Sequence, residues 1–215
     1  MTRRKELLDS LAQRIAEHNW QVCAQLYFRI TYGLPAELQI TMARLGINSY
    51  LPIFEKKWPA ITWPRQLLGD VDQWVKQFGA QLPDEPDDPD PADAAFLFSF
   101  DALLLASSHP GDPLTLTSSC ACAVISAINS RQSNVWIADD PEAVEMWKTY
   151  RYFPGRSVAE NVAAIAVAER EWKKVAGWLE ERAVSSSPDE ADVDEIEKGL
   201  ARWEENEMLL IRPGS

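Results

Sequence analysis

A chain of 215 residues, 46% of them hydrophobic and nine of them tryptophan, can bury a sizeable core without disulfides or metals, which excludes a disordered chain. A formal net charge of −12 repels nucleic acid and anionic lipid, so neither is expected as a partner, while encounter with a basic protein would be accelerated. Cys23, Cys120 and Cys122 fit neither a disulfide framework nor a zinc motif, and there is no apolar run of bilayer length and no hydrophobic stretch after Met1, so a reducing, cytoplasmic location is expected.

From Thr2 the periodicity predicts an amphipathic helix with Leu7, Leu8, Leu11 and Ile15 as its buried stripe. His18 and Asn19 interrupt it. A second helix, Trp20 to Tyr32, places Val22, Cys23, Leu26, Tyr27 and Ile30 inward and closes at Gly33. His18 beside Trp20 reads either as a pH-sensitive pair or as a histidine meeting the carbonyls of a helix end. A third helix runs from Pro35 to Leu45, with Leu38, Met42 and Leu45 inward, and stops at Gly46. Through Gly79 basic side chains outnumber acidic ones, so the acidity of the protein lies downstream.

Leu51 to Gly79 predicts an αα-hairpin. Leu51, Phe54, Glu55 and Trp58 share one side of a short helix that Pro59 stops. Thr62 is the expected N-cap of a second helix with Pro64 in its first turn. Leu67, Val71, Trp74, Val75 and Phe78 then form its apolar face, and Gly79 ends it. In the runs LPIFEKKWP and WPRQLLGDVDQWVKQF this stretch resembles a segment of predicted all-α immunity proteins from bacterial polymorphic-toxin systems. Such proteins are small and intracellular, and they bind and neutralise a toxin. The resemblance therefore implies an all-α fold, no catalysis, no cofactor and a toxin as partner.

Gln81 to Asp93 holds four prolines and six carboxylates. With almost nothing apolar to bury, it is expected to be an extended surface loop, either a solvated linker or a presenter of carboxylates to a basic partner. Its prolines and lack of glycine argue against a calcium loop. Asp93 to Ser107 is apolar nearly all round and belongs at the centre of the fold. Asp101 within it would need a partner if buried, and such carboxylates can be catalytic. After the turn cluster His109 to Pro113, a helix from Thr117 to Ser130 places Cys120, Ala121, Val124, Ile125 and Ile128 inward. Asp101, His109, Ser119 and Cys120 invite a nucleophile-plus-base reading, against which stands the lack of a nucleophile elbow or oxyanion-hole glycine.

Asn134 to Ala138 reads as a short strand or an extended anchor. Asp139 to Pro141 then starts a helix through Trp147 and Tyr150, and Tyr150, Arg151 and Tyr152 have the composition of a binding surface. Ser157 and Glu160 form a capping box for a long helix to Arg182, with Val158, Val162, Ile165, Ala166, Glu169, Trp172, Val175, Ala176 and Leu179 as its stripe. A serine run separates it from a last acidic helix, Asp189 to Asn206, apolar only at Val193, Ile196, Leu200 and Trp203. Its carboxylates form a second candidate surface for a basic partner.

The expected fold is thus an all-α multi-helix bundle of about eight or nine helices. Residues 1–184 form a single helical domain, its halves 1–80 and 94–184 joined by the acidic linker 81–93, followed by a peripheral acidic helix and tail at 185–215. The expected function is non-catalytic toxin neutralisation by occlusion of an active surface, with no metal and no cofactor. The partner-binding candidates are Asp84, Glu85, Asp87, Asp88, Asp90, Tyr150, Arg151 and Tyr152. A helical adaptor or scaffold subunit of a larger complex is the alternative, a homodimer is a further possible association, and a hydrolase or transferase using Asp101 or Cys120 is a third reading.

Overall fold

In a computed structural model that describes residues 3–83, 86–139, 161–186 and 192–206, apolar residues at three- and four-residue steps, cut by proline, glycine and capping side chains, divide the described residues into ten helices. They are α1 (Arg3–Ala16), α2 (Trp20–Thr31), α3 (Ala36–Asn48), α4 (Leu51–Lys57) and α5 (Trp63–Gly69). There follow α6 (Val71–Phe78), α7 (Pro91–Ser108), α8 (Pro113–Asp139), α9 (Val162–Ser186) and α10 (Val193–Asn206). Among the described residues no strand occurs, as expected for an all-α bundle.

The first corner shows how local chemistry sets the path. Asn19 accepts the N–H of Val22 and caps α2, and His18 takes up a left-handed φ of 55° to turn the chain between α1 and α2. Leu8, Leu11 and Ile15 are buried where α1 packs on α2 and α9.

α8 is the axle. It packs against α2, α3, α7 and α9, and every residue from Leu116 to Ile128 is buried. A helix surrounded on all sides must be apolar or small all round, and here Ser118, Ser119, Ala121, Ala123 and Ala127 let its neighbours close in. The helix also continues through Asn134 to Ala138, where a strand or extended anchor was expected. No breaker follows Pro113, and the continuation is tied down by its flanks: Arg131 donates to the Ser49 carbonyl at 3.1 Å, Gln132 to the Ala164 carbonyl at 3.4 Å, and Trp136 is buried. Cooperative helix growth with tertiary support outweighs the β-propensity of so short a run.

The stretch from Leu51 to Gly79 is three helices, not a two-helix hairpin. Asp70, at φ −149° and ψ 89°, ends α5 and caps α6 by accepting the N–H of Gln73 at 2.9 Å. The break lets Leu67 on α5 and both Val71 and Trp74 on α6 reach the core from separate axes. Gly79 ends α6 at φ 74°, a conformation that costs other residues dearly. Arg44 of α3 fastens α5 from the side by donating to the carbonyls of Leu68 and Gly69.

Aromatic rings weld these short helices to α7. Tyr50 and Phe54 meet Phe96 at 5.1 and 4.8 Å, Phe96 meets Phe100 edge-on at 5.0 Å, and Phe100 meets Trp63 at 5.1 Å. The ladder continues from Trp63 to Trp74 at 6.3 Å and ends in the exposed ring of Phe78, 4.6 Å from Trp74. Each such pair adds roughly 0.5–1.5 kcal/mol beyond area burial. By length and mean hydropathy α7 is the one helix among the described residues able to cross a bilayer, but 61% of it is buried inside the protein.

On α9 the inward stripe differs from the expected one. Val162 is 81% exposed, and Ala164, Ala168, Glu171, Trp172, Val175, Leu179 and Ala183 face the core. The buried face contains a carboxylate, Glu171, so counting apolar residues turned the expected stripe towards Glu169. Downstream of Trp172 the expected stripe holds.

α10 lies along α2. Ile196, Leu200 and Trp203 are buried, and the Trp203 indole stacks on Phe28 at 5.3 Å with 14° between the planes. Gly199 permits the approach, since a Cβ there would stand 3.3 Å from the Tyr32 ring.

Candidate functional site

The acidic stretch ends in a built polar cluster, not in a solvated linker. Asp90 caps α7 by accepting the N–H groups of Ala92 and Asp93, with Pro91 in the tolerated first turn. This capping fixes Asp93 one turn in, facing α4, where it is only 1% exposed. Three donors converge on it. The Tyr50 hydroxyl donates to Oδ1 at 2.9 Å, the Trp58 indole N–H to Oδ2 at 2.9 Å, and Lys57 Nζ to Oδ1 at 3.3 Å. Lys57 also reaches Asp90 at 2.7 Å and lies 5.9 Å from the centre of the Tyr50 ring.

Burial pushes the Asp93 carboxyl above the usual carboxylate range and Asp90 adds to the rise, while Trp58, Lys57 and Tyr50 pull the other way. Burial, with the Asp93 charge behind it, likewise drives the Tyr50 phenol far up, so it donates as a neutral hydroxyl. All four carboxylate oxygens of Asp90 and Asp93 accept from within the protein, so the cluster is a latch that binds the acidic stretch to the Leu51–Lys57 helix.

The partner-binding candidates divide accordingly. Asp87 and Asp88 are exposed just before the latch, Asp88 at a left-handed φ of 57°. Asp90 is half-buried and engaged with Lys57. Asp84, Glu85, Tyr150, Arg151 and Tyr152 lie outside the described residues, as do the capping box at Ser157 and Glu160 and the helix expected from Asp140 to Tyr150.

Charge is distributed unevenly along the chain. Between Gly69 and Asp112 there are ten carboxylates and a single basic residue, Lys76. The acids of α10 are used differently: Glu197 takes a two-pronged contact from Arg29 at 2.8 and 2.9 Å, Glu204 accepts from Gln25 at 2.5 Å, and Glu195 accepts from the Tyr32 hydroxyl at 3.2 Å. These three fasten α10 to α2, while Asp192, Asp194 and Glu205 remain exposed.

The residues with a conceivable reagent role are not gathered. Asp101 is exposed on α7, contrary to a buried catalytic carboxylate. His109 is exposed at the end of α7, its Nδ1 3.1 Å from the Leu105 carbonyl. Ser119 and Cys120 sit inside the α8 axle, and burial pushes the Cys120 thiol up to about 12, which leaves it protonated and unreactive near neutrality. His18, the other histidine, stands 3.3 Å from Glu169 of α9 and 5.4 Å from the Trp20 ring, so its partner is a carboxylate and not a helix end.

A second buried carboxylate escaped the sequence reading. Glu171 is 3% exposed and is met by Lys174 at 3.0 Å, Arg170 at 3.3 Å and Arg131 at 3.7 Å. Its only sequence signal is the i,i+3 spacing to Lys174. Arg170 and Lys174 also border an open surface hollow of about 530 Å³ with Glu169 and Lys173, whose charges pair with one another along α9. Among the described residues no group of His, Cys, Asp or Glu side chains is arranged to hold a metal ion.

No family model, curated protein or solved structure matches the chain.

Proposed function

We propose that the protein is a non-catalytic immunity protein that binds a basic bacterial toxin domain and occludes its active surface. The observation that carries the reading is the concentration in the sequence of ten carboxylates against one lysine between Gly69 and Asp112, with Asp87 and Asp88 exposed just ahead of the latch. Prearranged negative charge raises the rate at which a cationic partner is captured and costs little ordering on binding. The resemblance of the Leu51–Gly79 stretch to immunity proteins supports the same reading, because the latch residues Lys57 and Trp58 belong to it.

The test is co-expression with the toxin domain encoded beside the gene. Restored growth of the host, a complex that survives co-purification, and affinity that falls steeply between low and high salt are the expected results. Failure to rescue or to associate would sink the reading. Association indifferent to ionic strength would remove its electrostatic part.

A further inference from the structure

The corner between α1 and α2 holds a histidine at a spot that the backbone fixes. Three hydrogen bonds close the end of α1, from the N–H groups of Glu17, His18 and Asn19 to the carbonyls of Gln13, Ile15 and Arg14. They leave His18 at a φ of 55°, in the left-handed region that side chains other than glycine seldom occupy. Its ring meets two other helices. Nε2 stands 3.3 Å from Oε2 of Glu169 on α9, and the ring centre lies 5.4 Å from that of Trp20 at the start of α2. The second oxygen of Glu169, Oε1, accepts from Lys173 at 2.5 Å, so the imidazole completes the carboxylate without displacing the lysine.

Protonation makes this arrangement conditional. Imidazole is the side chain whose charge ordinarily changes between pH 5 and pH 8. Charging the ring turns its contact with Glu169 into an ion pair and its contact with Trp20 into a cation–π contact. Among the described residues, the other groups gathered here keep their charge over that interval. Glu169 is held below the usual carboxylate range by its hydrogen bond from Lys173 and then by that from His18, and Glu17 by those from Gln13 and Arg14. The first turn of α2 carries no acid, and burial pushes its Cys23 thiol up to about 12. The remaining charged neighbours, Arg14 and Lys173, are a guanidinium and an ammonium.

We infer that His18 is a proton-operated clasp: charged, it ties the α1–α2 corner to α9 through Glu169, and on losing its proton it gives up that tie. The corner is thus held more firmly in mild acid than above neutrality. The clasp is independent of the toxin-binding reading.

The experiment is a double-mutant cycle of His18→Asn and Glu169→Gln in the full chain, read by urea unfolding at pH 5 and pH 8. Asparagine accepts the left-handed backbone and carries no charge, and the cycle cancels titrations that the pair does not touch. A coupling of about two- to fivefold in the unfolding equilibrium constant, the range of a solvent-exposed ion pair, is expected at pH 5 and none at pH 8. Coupling at pH 5 no larger than at pH 8, zero at both included, overturns the clasp. Should the double variant fail to fold at pH 5, hydrogen exchange at the Asn19 amide replaces the cycle. Corrected for intrinsic rate, protection in the wild-type chain is then about two- to fivefold higher at pH 5 than at pH 8, and Glu169→Gln removes the difference. Equal protection at both pH values in the wild type, or a difference that survives Glu169→Gln, overturns the clasp.

Discussion

Two acid-rich stretches of this chain look alike in sequence and are put to opposite uses. α10 turns Glu195, Glu197 and Glu204 onto Tyr32, Arg29 and Gln25 of α2 and buries Trp203 against Phe28. The stretch leading into α7 turns Asp90 and Asp93 inward and leaves Asp87 and Asp88 in water. The difference follows from what lies beside the carboxylates. On α10 they flank an apolar stripe at helical spacing, so docking that stripe carries them onto the neighbouring helix. Before α7 the prolines prevent such a stripe, and Asp90 and Asp93 are drawn inward by the cap and first turn of the helix.

The largest way to break this comparison is at Trp203. Trp203→Ala is expected to cost about 3–5 kcal/mol in urea unfolding, as for other buried aromatic truncations. A loss below about 1 kcal/mol would mean that α10 opens separately from the core and that its polar contacts, not its indole, hold it.

Next is the latch. Lys57→Met removes the one cation beside buried Asp93 and should destabilise the fold by about 2–3 kcal/mol at pH 7. The pH dependence carries a definite sign. Asp93 titrates above its unfolded value, so its favourable contribution is complete at pH below that value and is lost as pH rises through the folded one. Without Lys57 the carboxyl rises further, so the variant must lose more stability at pH 7 than at pH 4. An equal loss at both would show that Asp93 does not change its protonation between the two pH values.

Smaller effects belong to the α10 rim. Arg29→Ala should cost about 0.5–1 kcal/mol, most of it abolished by molar salt, because Glu197 is half in solvent. The hydrogen bonds from Arg29 hold Glu197 below the usual carboxylate range, so this contribution is present above the unfolded value and disappears as pH falls through the depressed one. Wild type and variant should therefore converge in acid unfolding curves.

The smallest stability effect sharpens the contrast most. Asp87→Asn and Asp88→Asn should each leave the melting free energy within about 0.5 kcal/mol, since neither is buried and asparagine accepts the left-handed conformation at position 88. Their effect should instead be a slower association with a cationic partner, read by stopped-flow mixing.

Much of the fold was legible because helical periodicity and capping are local. The corner at His18 and Asn19, the stop at Gly79, the apolar α7 and the narrow stripe of α10 all follow from residues within a turn or two. The errors share a cause at longer range. Asp70 looked like a surface residue of one helix because its backbone conformation is set by packing α5 and α6 separately. Asn134 to Ala138 looked extended because the partners that keep it helical, Ser49 and Ala164, lie far away in sequence. The candidate site was less legible for the same reason. Nothing near Asp93 announces that Tyr50, Lys57 and Trp58 await it, and nothing near Glu171 but Lys174 marks it as buried.

The position of α8 in the middle of the bundle also governs the order of events during synthesis. Until the ribosome has passed Pro113, the apolar faces of α2, α3 and α7 have been made without the element they share. The nascent chain must therefore carry these sticky surfaces without their common partner until α8 emerges, a stage at which chaperone capture would matter more than for a bundle closed by successive hairpins.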